Sequence, residues 1–173
     1  MTAENILPWV QAVLRTTPRR WIELAGSLPS ELLLRPPAPG EWSAVECLQH
    51  ILDTEDVFNF RLNAFLKGQD FPAFNPDTQG TRPIAPNPVE MAAGFERMRR
   101  RSLDALAALG PADLTRRAHH AELGPVTLAE MLNEWAAHDF NHTIQAERAL
   151  MQPFIAGCGP WQKYFQDHVI RSS

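Results

Sequence analysis

Cysteine is scarce in this chain: Cys47 and Cys158 are the only two in 173 residues. Two thiols cannot staple a disulfide scaffold. No secretory signal opens the sequence, and no apolar run reaches the roughly 18 residues of a membrane span. A soluble cytoplasmic protein with no membrane partner is therefore expected. Basic charge is in deficit, with 16 Lys and Arg against 20 Asp and Glu and a formal charge of −4. Nucleic-acid binding relies on a basic face that displaces counterions, so no nucleic-acid partner is expected. The one dense basic run, Arg97, Arg99, Arg100 and Arg101, reads as the solvated side of a helix. Period-two alternation is missing, which predicts no sheet. Internal repeats and low-complexity segments are missing too.

Proline, by contrast, is abundant, with 15 residues. It clusters in "PPAPGEW", 36–42, and "RPIAPNPVE", 82–90. Both read as loops, because proline lacks the donor that regular structure needs. Between the clusters the apolar spacing is helical. A first helical region is expected from about Asn5 to Ser27, with Pro18 as a kink or as the junction of two abutting helices. A second starts after Ser43, whose capping box closes with Glu46, and stops at Gly68. The stretch 69–88 reads as a long excursion, and loops of that length usually cover something. A third helix runs from about Pro88 to Leu109. The segment 112–126 reads as a weak connector. A fourth helix starts at Thr127, with Glu130 at the box position, and runs to about Met151. The expected organisation is one all-α domain over 1–173, with its core at about 5–151 and an extension at 152–173 that carries a short helix from Trp161. Four long helices with one apolar face each imply a bundle.

One of those faces contains a puzzle. In "NEWAAHDFNHTIQAERAL", 133–150, the seam formed by Leu128, Met131, Leu132 and Trp135 continues through His138 and His142. Residues four apart stack on one side of a helix, so the two imidazoles can converge on one point. Two neighbouring histidines in apolar surroundings resist being charged together. Hydrogen bonds or a wet edge could satisfy them; so could a divalent metal, for which neutral imidazole is a good ligand. The pair lacks the glutamate of H-E-x-x-H, which sets the zinc-protease reading aside. Of the other histidines, His119 and His120 read as solvated and His168 lies near the C-terminus. His50 sits at the edge of the face made by Val45, Leu48, Ile51, Leu52, Phe58 and Leu62, where it can meet the pair across a helix seam. Cys47, three residues earlier, reads as a small buried hydrophobe.

"PPAPGEWSAVECLQHILDTE", 36–55, resembles the opening signature of the DinB-like proteins, the DinB/YfiT superfamily. There a proline- and glycine-rich loop leads into W-S and a helix with a histidine about eight residues after the tryptophan, here Trp42, Ser43 and His50. The second signature is a late helix with two histidines four apart, here His138 and His142 in "HDFNHTIQ". The resemblance implies a four-helix bundle of up-down-down-up topology. It also implies a divalent metal held by His50, His138 and His142, with nickel or zinc foremost and iron or manganese as alternatives. The implied activity is that of a metal-dependent enzyme acting on a small molecule. The first expectation is a thiol-dependent S-transferase, in which the metal holds a low-molecular-weight thiolate. The alternatives are a metal-dependent hydrolase of esters or amides and a metal-binding stress-response protein without turnover. A homodimer is the expected assembly. Trp42, Trp135 and Phe58 are candidates for the pocket wall or for the core, and the 69–88 excursion for the pocket rim. Glu46, Asp53, Glu55, Glu134 and Asp139 flank the histidines, and the sequence assigns none of them a role.

Overall fold

Capping residues set where the long helices begin. In the chain's computed structural model, which describes residues 6–74 and 87–170, helix α1 spans Ile6–Ser27, α2 Ser30–Leu34, α3 Ala44–Lys67, α4 Pro88–Ala107 and α5 Leu128–Gly157. Both expected capping boxes are present. Ser43 N–H donates to Glu46 Oε2 at 2.7 Å while Glu46 N–H donates back to Ser43 Oγ at 3.3 Å. Thr127 and Glu130 repeat the exchange at 2.7 and 3.2 Å. At the far end of α3, Gly68 turns the chain with φ +65°, a left-handed conformation that a Cβ would penalise.

Side-chain bridges fix the helix directions. Gln11 donates to Leu106 O at 3.1 Å and Arg99 to Leu14 O at 3.2 Å, so α1 and α4 run antiparallel. Arg99 meets Glu55 and Asn59 meets Ser102, so α3 and α4 run parallel. His50 meets His138 and Arg61 approaches Glu134, so α3 and α5 run antiparallel. The result is the up-down-down-up four-helix bundle. No helix among the described residues is long and apolar enough to cross a membrane.

The core has two apolar halves. One gathers Leu14, Phe58, Leu62, Phe65, Leu106 and Trp135; the other gathers Trp21, Leu48, Ile51, Met91, Phe95 and Leu150. Between them, at one level, lies a polar layer made of Arg99, Glu55, Asp139 and Ser102, none more than 1% exposed. This corrects the reading of Arg99 as solvated: Arg97, Arg100 and Arg101 are exposed, but Arg99 points inward.

Several other expectations need correction. Helix α1 runs through Pro18 rather than dividing there into two abutting helices. A proline deprives the carbonyl four residues earlier of its helical donor, here Leu14 O, and the buried Arg99 guanidinium supplies the substitute. Helix α5 passes Met151 and Pro153 and ends at Gly157. The expected short helix of the tail is present but starts before Trp161, spanning Gly159–His168, and is of 3-10 type. Gln152 holds this tail to α5, donating to His168 O and accepting from Ile170 N–H, both at 3.0 Å. Five residues unassigned by the sequence form α2, which inserts Leu33 into the second half of the core.

The connector contains a sheet after all. Strand β1, Arg117–His120, pairs antiparallel with β2, Gly124–Thr127, in a register from Arg117↔Thr127 to His120↔Gly124. His120 is 6% exposed and closes the turn: its Nδ1 accepts from Glu122 N–H at 3.1 Å and Leu123 N–H at 3.2 Å. It is therefore not the solvated residue expected. Phe71 joins the hairpin edge, donating to His119 O and accepting from Ala121 N–H. The remainder of the 69–88 excursion, residues 75–86, falls outside the described residues.

Candidate metal centre

Helix α3 contributes His50 and helix α5 contributes His138 and His142. One ring nitrogen from each lies within 4.8 Å of the others. His50 Nε2 and His138 Nε2 are 3.0 Å apart. The ring centroids of His142 lie 4.3 Å from those of His50 and 4.5 Å from those of His138. With metal–nitrogen bonds of about 2.1 Å, two donors on one cation stand roughly 3.0–3.4 Å apart for octahedral to tetrahedral angles. The His50–His138 spacing meets that requirement, and the His142 donor lies within 4.8 Å of both.

Proton placement suits it as well. His142 Nδ1–H donates to Gln145 Oε1 at 2.9 Å, leaving the Nε2 lone pair for the cluster. The buried Nδ1 of His138 has no hydrogen-bond partner among the described residues. Burial pushes the pKa of His138 down to about 3, reinforced by His142, His50, Arg99 and Arg61. Burial also lowers the pKa of His142, against the opposing pull of Gln145 and Asp139. Both rings are neutral at neutral pH, the state in which imidazole binds metals.

The cluster opens into a cavity of about 330 Å³. Trp42 forms one wall, stacked on His142 at 5.9 Å between centroids and tilted against His50 at 5.1 Å. Phe58 lines it from beneath, its ring 5.4 Å from that of His138. Trp135 stacks under Phe58 at 4.8 Å and is fully buried, so it belongs to the core and the other two aromatics to the wall. Phe74, from the start of the proline-rich excursion, and Glu134, one turn before His138, complete the rim. Cys47 is buried, and burial followed by the charge of Glu46 pushes its pKa up to about 12, which removes it as a ligand or nucleophile.

Sequence reasoning missed the buried ion cluster beside the site. Arg99 Nε and Nη2 form a two-pronged pair with Glu55 at 2.9 and 2.8 Å, and Nη1 and Nη2 grip Asp139. Ser102 Oγ–H donates to Glu55 Oε1. Burial opposes the charge on Arg99, but Asp139 and then Glu55 outweigh it and drive its pKa upward. Asp139 therefore orients toward Arg99, while its neighbour His138 faces the cavity.

Comparison with known proteins gives a consistent set of relatives. A family model described as the DinB superfamily matches residues 14–146. A protein of Bacillus mycoides strain KBAB4, named as a candidate metal-dependent hydrolase, is 24% identical over 146 residues, covering 83% of this chain and 84% of that protein. The solved structure of YfiT from Bacillus subtilis is described as a probable metal-dependent hydrolase with an unusual four-helix bundle topology. It superposes with a TM-score of 0.72 at 19% identity, over 89% of this chain and 90% of that one. At that identity the likeness establishes the fold.

Proposed function

Since the chain belongs to the DinB superfamily, we propose that it is a metal-dependent hydrolase in which His50, His138 and His142 hold a divalent cation. The observation that carries this reading is the convergence of three ring nitrogens within 4.8 Å at the floor of an open cavity. The names given to the Bacillus relatives support it. Three protein donors leave room for a further ligand, and a cation so held acts as a Lewis acid that brings the pKa of coordinated water towards neutral.

The protein's own groups supply the rest. Gln145 fixes the tautomer of His142. Trp42 and Phe58 restrict solvent around the histidines, which strengthens electrostatic interactions there. Glu134 faces the same cavity, and burial raises its carboxyl pKa against the opposing charge of Arg61. This half-exposed carboxylate at the rim would accept a proton from water held in the cavity. Hydrolysis of an ester or amide is the reaction this arrangement serves. The thiol S-transferase expected from the resemblance would use the same three histidines. It would need a separate thiol as co-substrate, because Cys47 is inaccessible.

Elemental analysis of protein dialysed against nickel and zinc in turn should give one equivalent of cation per chain. The loaded protein should hydrolyse activated esters without added thiol. Glu134→Gln should keep the cation and lose hydrolysis by about 10²–10⁴-fold, the usual worth of a positioned proton acceptor. Failure to bind any divalent cation would refute the centre. Turnover only with an added thiol and an electrophile would replace hydrolysis with S-transfer.

A further inference from the structure

A second cavity, of about 320 Å³, adjoins the first under the β-hairpin, and the two share Arg61, Phe74 and Glu134 as their common wall. Its body is apolar, with Phe71, Leu123, Val126 and Met131 lining it. Its polar end contains an unusual contact. Arg61 Nη2 lies 3.4 Å from His120 Nε2. Because His120 Nδ1 already accepts two backbone N–H groups, neutral His120 carries its proton on Nε2. A guanidinium has only donors. Two N–H groups therefore meet at one place with no acceptor for them among the described residues.

The remainder of the Arg61 fork also lacks a hydrogen-bond acceptor among the described residues. Its buried Nε has no hydrogen-bond partner among the described residues. Glu134 Oε2 forms an ion pair with Nη1 at 3.7 Å, too long for a hydrogen bond, so the charge of Arg61 has a partner while its donors do not. The ring of Phe58 lies 5.9 Å from the guanidinium carbon and that of Phe71 5.7 Å, so the side chain is held between two aromatic rings rather than swinging in solvent. His120 is itself fixed, more than nine-tenths buried and packed edge-on against Phe71 at 5.5 Å. Buried donors without acceptors are costly, and a planar anion with two acceptor oxygens would relieve them together.

We propose that Arg61 and His120 form a carboxylate subsite, and that the substrate is a small carboxylate-bearing molecule with an apolar body. The carboxylate sits between the two donors, the apolar body fills the space under the hairpin, and the labile bond reaches the histidine cluster past Glu134. A monoanion is favoured over a phosphate dianion because Glu122, Glu130 and Glu134 surround the same cavity and repel the second charge. The substrate assignment rests on the metal-dependent hydrolase reading above; the subsite itself does not.

The test uses benzoate as probe and metal-free protein, so that it is independent of the metal centre. Calorimetric titration should show saturable benzoate binding to the parent protein. Arg61→Met, which keeps the length and removes the donors, should weaken it at least tenfold, with Arg61→Lys in between. Circular dichroism and thermal melting confirm that each variant is folded. In nitrogen-edited NMR spectra, benzoate should shift the ring resonances of His120. The double variant His138→Ala, His142→Ala should bind benzoate as the parent does. The subsite is overturned if the parent shows no saturable binding, if folded Arg61→Met binds equally well, or if the His120 ring signals stay fixed. It is equally overturned if inorganic phosphate binds as tightly as benzoate, or if the double histidine variant loses binding. Should the subsite hold while no divalent cation binds, only the hydrolase reading falls.

Discussion

Replacing Arg99 with methionine should destabilise the bundle by about 3–5 kcal/mol, the usual cost of removing one partner from a buried ion pair. The substitution leaves Glu55 and Asp139, at 0% and 1% exposure, without the cation that joins them. It also strips the donor from Leu14 O, which Pro18 has already deprived of its helical partner. Against a typical domain stability of about 5–15 kcal/mol, this is a large fraction of the total. Urea denaturation followed by circular dichroism measures the effect. A triple variant, Glu55→Leu, Arg99→Met, Asp139→Leu, should recover most of the loss, because apolar replacement of a whole buried ion cluster is often neutral or better. A single Arg99→Met change costing less than about 1 kcal/mol, the value of an exposed pair, would contradict the cluster.

His138→Ala should weaken divalent-cation binding by at least about 100-fold, because loss of a group that merely orients a ligand already costs 10- to 100-fold. Equilibrium dialysis against zinc or nickel reads the change, and retention of parent affinity would remove His138 from the ligand set. The same residue governs a pH effect in the metal-free protein. Its pKa falls from 6.5 in the unfolded chain to about 3 in the folded one, chiefly through burial. The folded state thus refuses a proton that the unfolded state accepts. The stability linked to neutral His138 is fully present above about pH 6.5 and is lost progressively as pH falls towards 3. His142, also lowered, acts in the same direction. Denaturation curves of the metal-free parent between pH 7 and 4 should show this decline, and His138→Ala should flatten it.

Much of this architecture can be read from local residues. The two capping boxes announce α3 and α5, Gly68 ends the former, and the spacing of His138 and His142 places both rings on one face. The structure joins them to His50, as a seam-edge histidine on α3 suggested. What escaped depends on residues far apart in the chain. Pro18 reads as a kink or a junction because its remedy, Arg99, lies outside any local window. Arg99 hides in a run of arginines, although the inward set Met91, Phe95, Arg99, Ser102 and Leu106 keeps helical spacing straight through it. Glu55 and Asp139 likewise interrupt the inward faces of α3 and α5. Charges of opposite sign on three seams were the available signal for a buried cluster. The hairpin escaped because four-residue strands, one of them beginning Gly-Pro, are too short to show alternation.

The polar layer between the two apolar halves also acts as an alignment key. Sliding α3, α4 or α5 by one turn, about 5.4 Å, would set a carboxylate or the guanidinium against aliphatic side chains with nothing to neutralise it. Purely apolar seams would tolerate such a shift far better. Asp139 adjoins His138 in sequence, and Glu55 lies little more than one turn beyond His50. The electrostatic lock that keeps the helices in step therefore also fixes the relative height of the imidazoles, and it does so before any cation arrives.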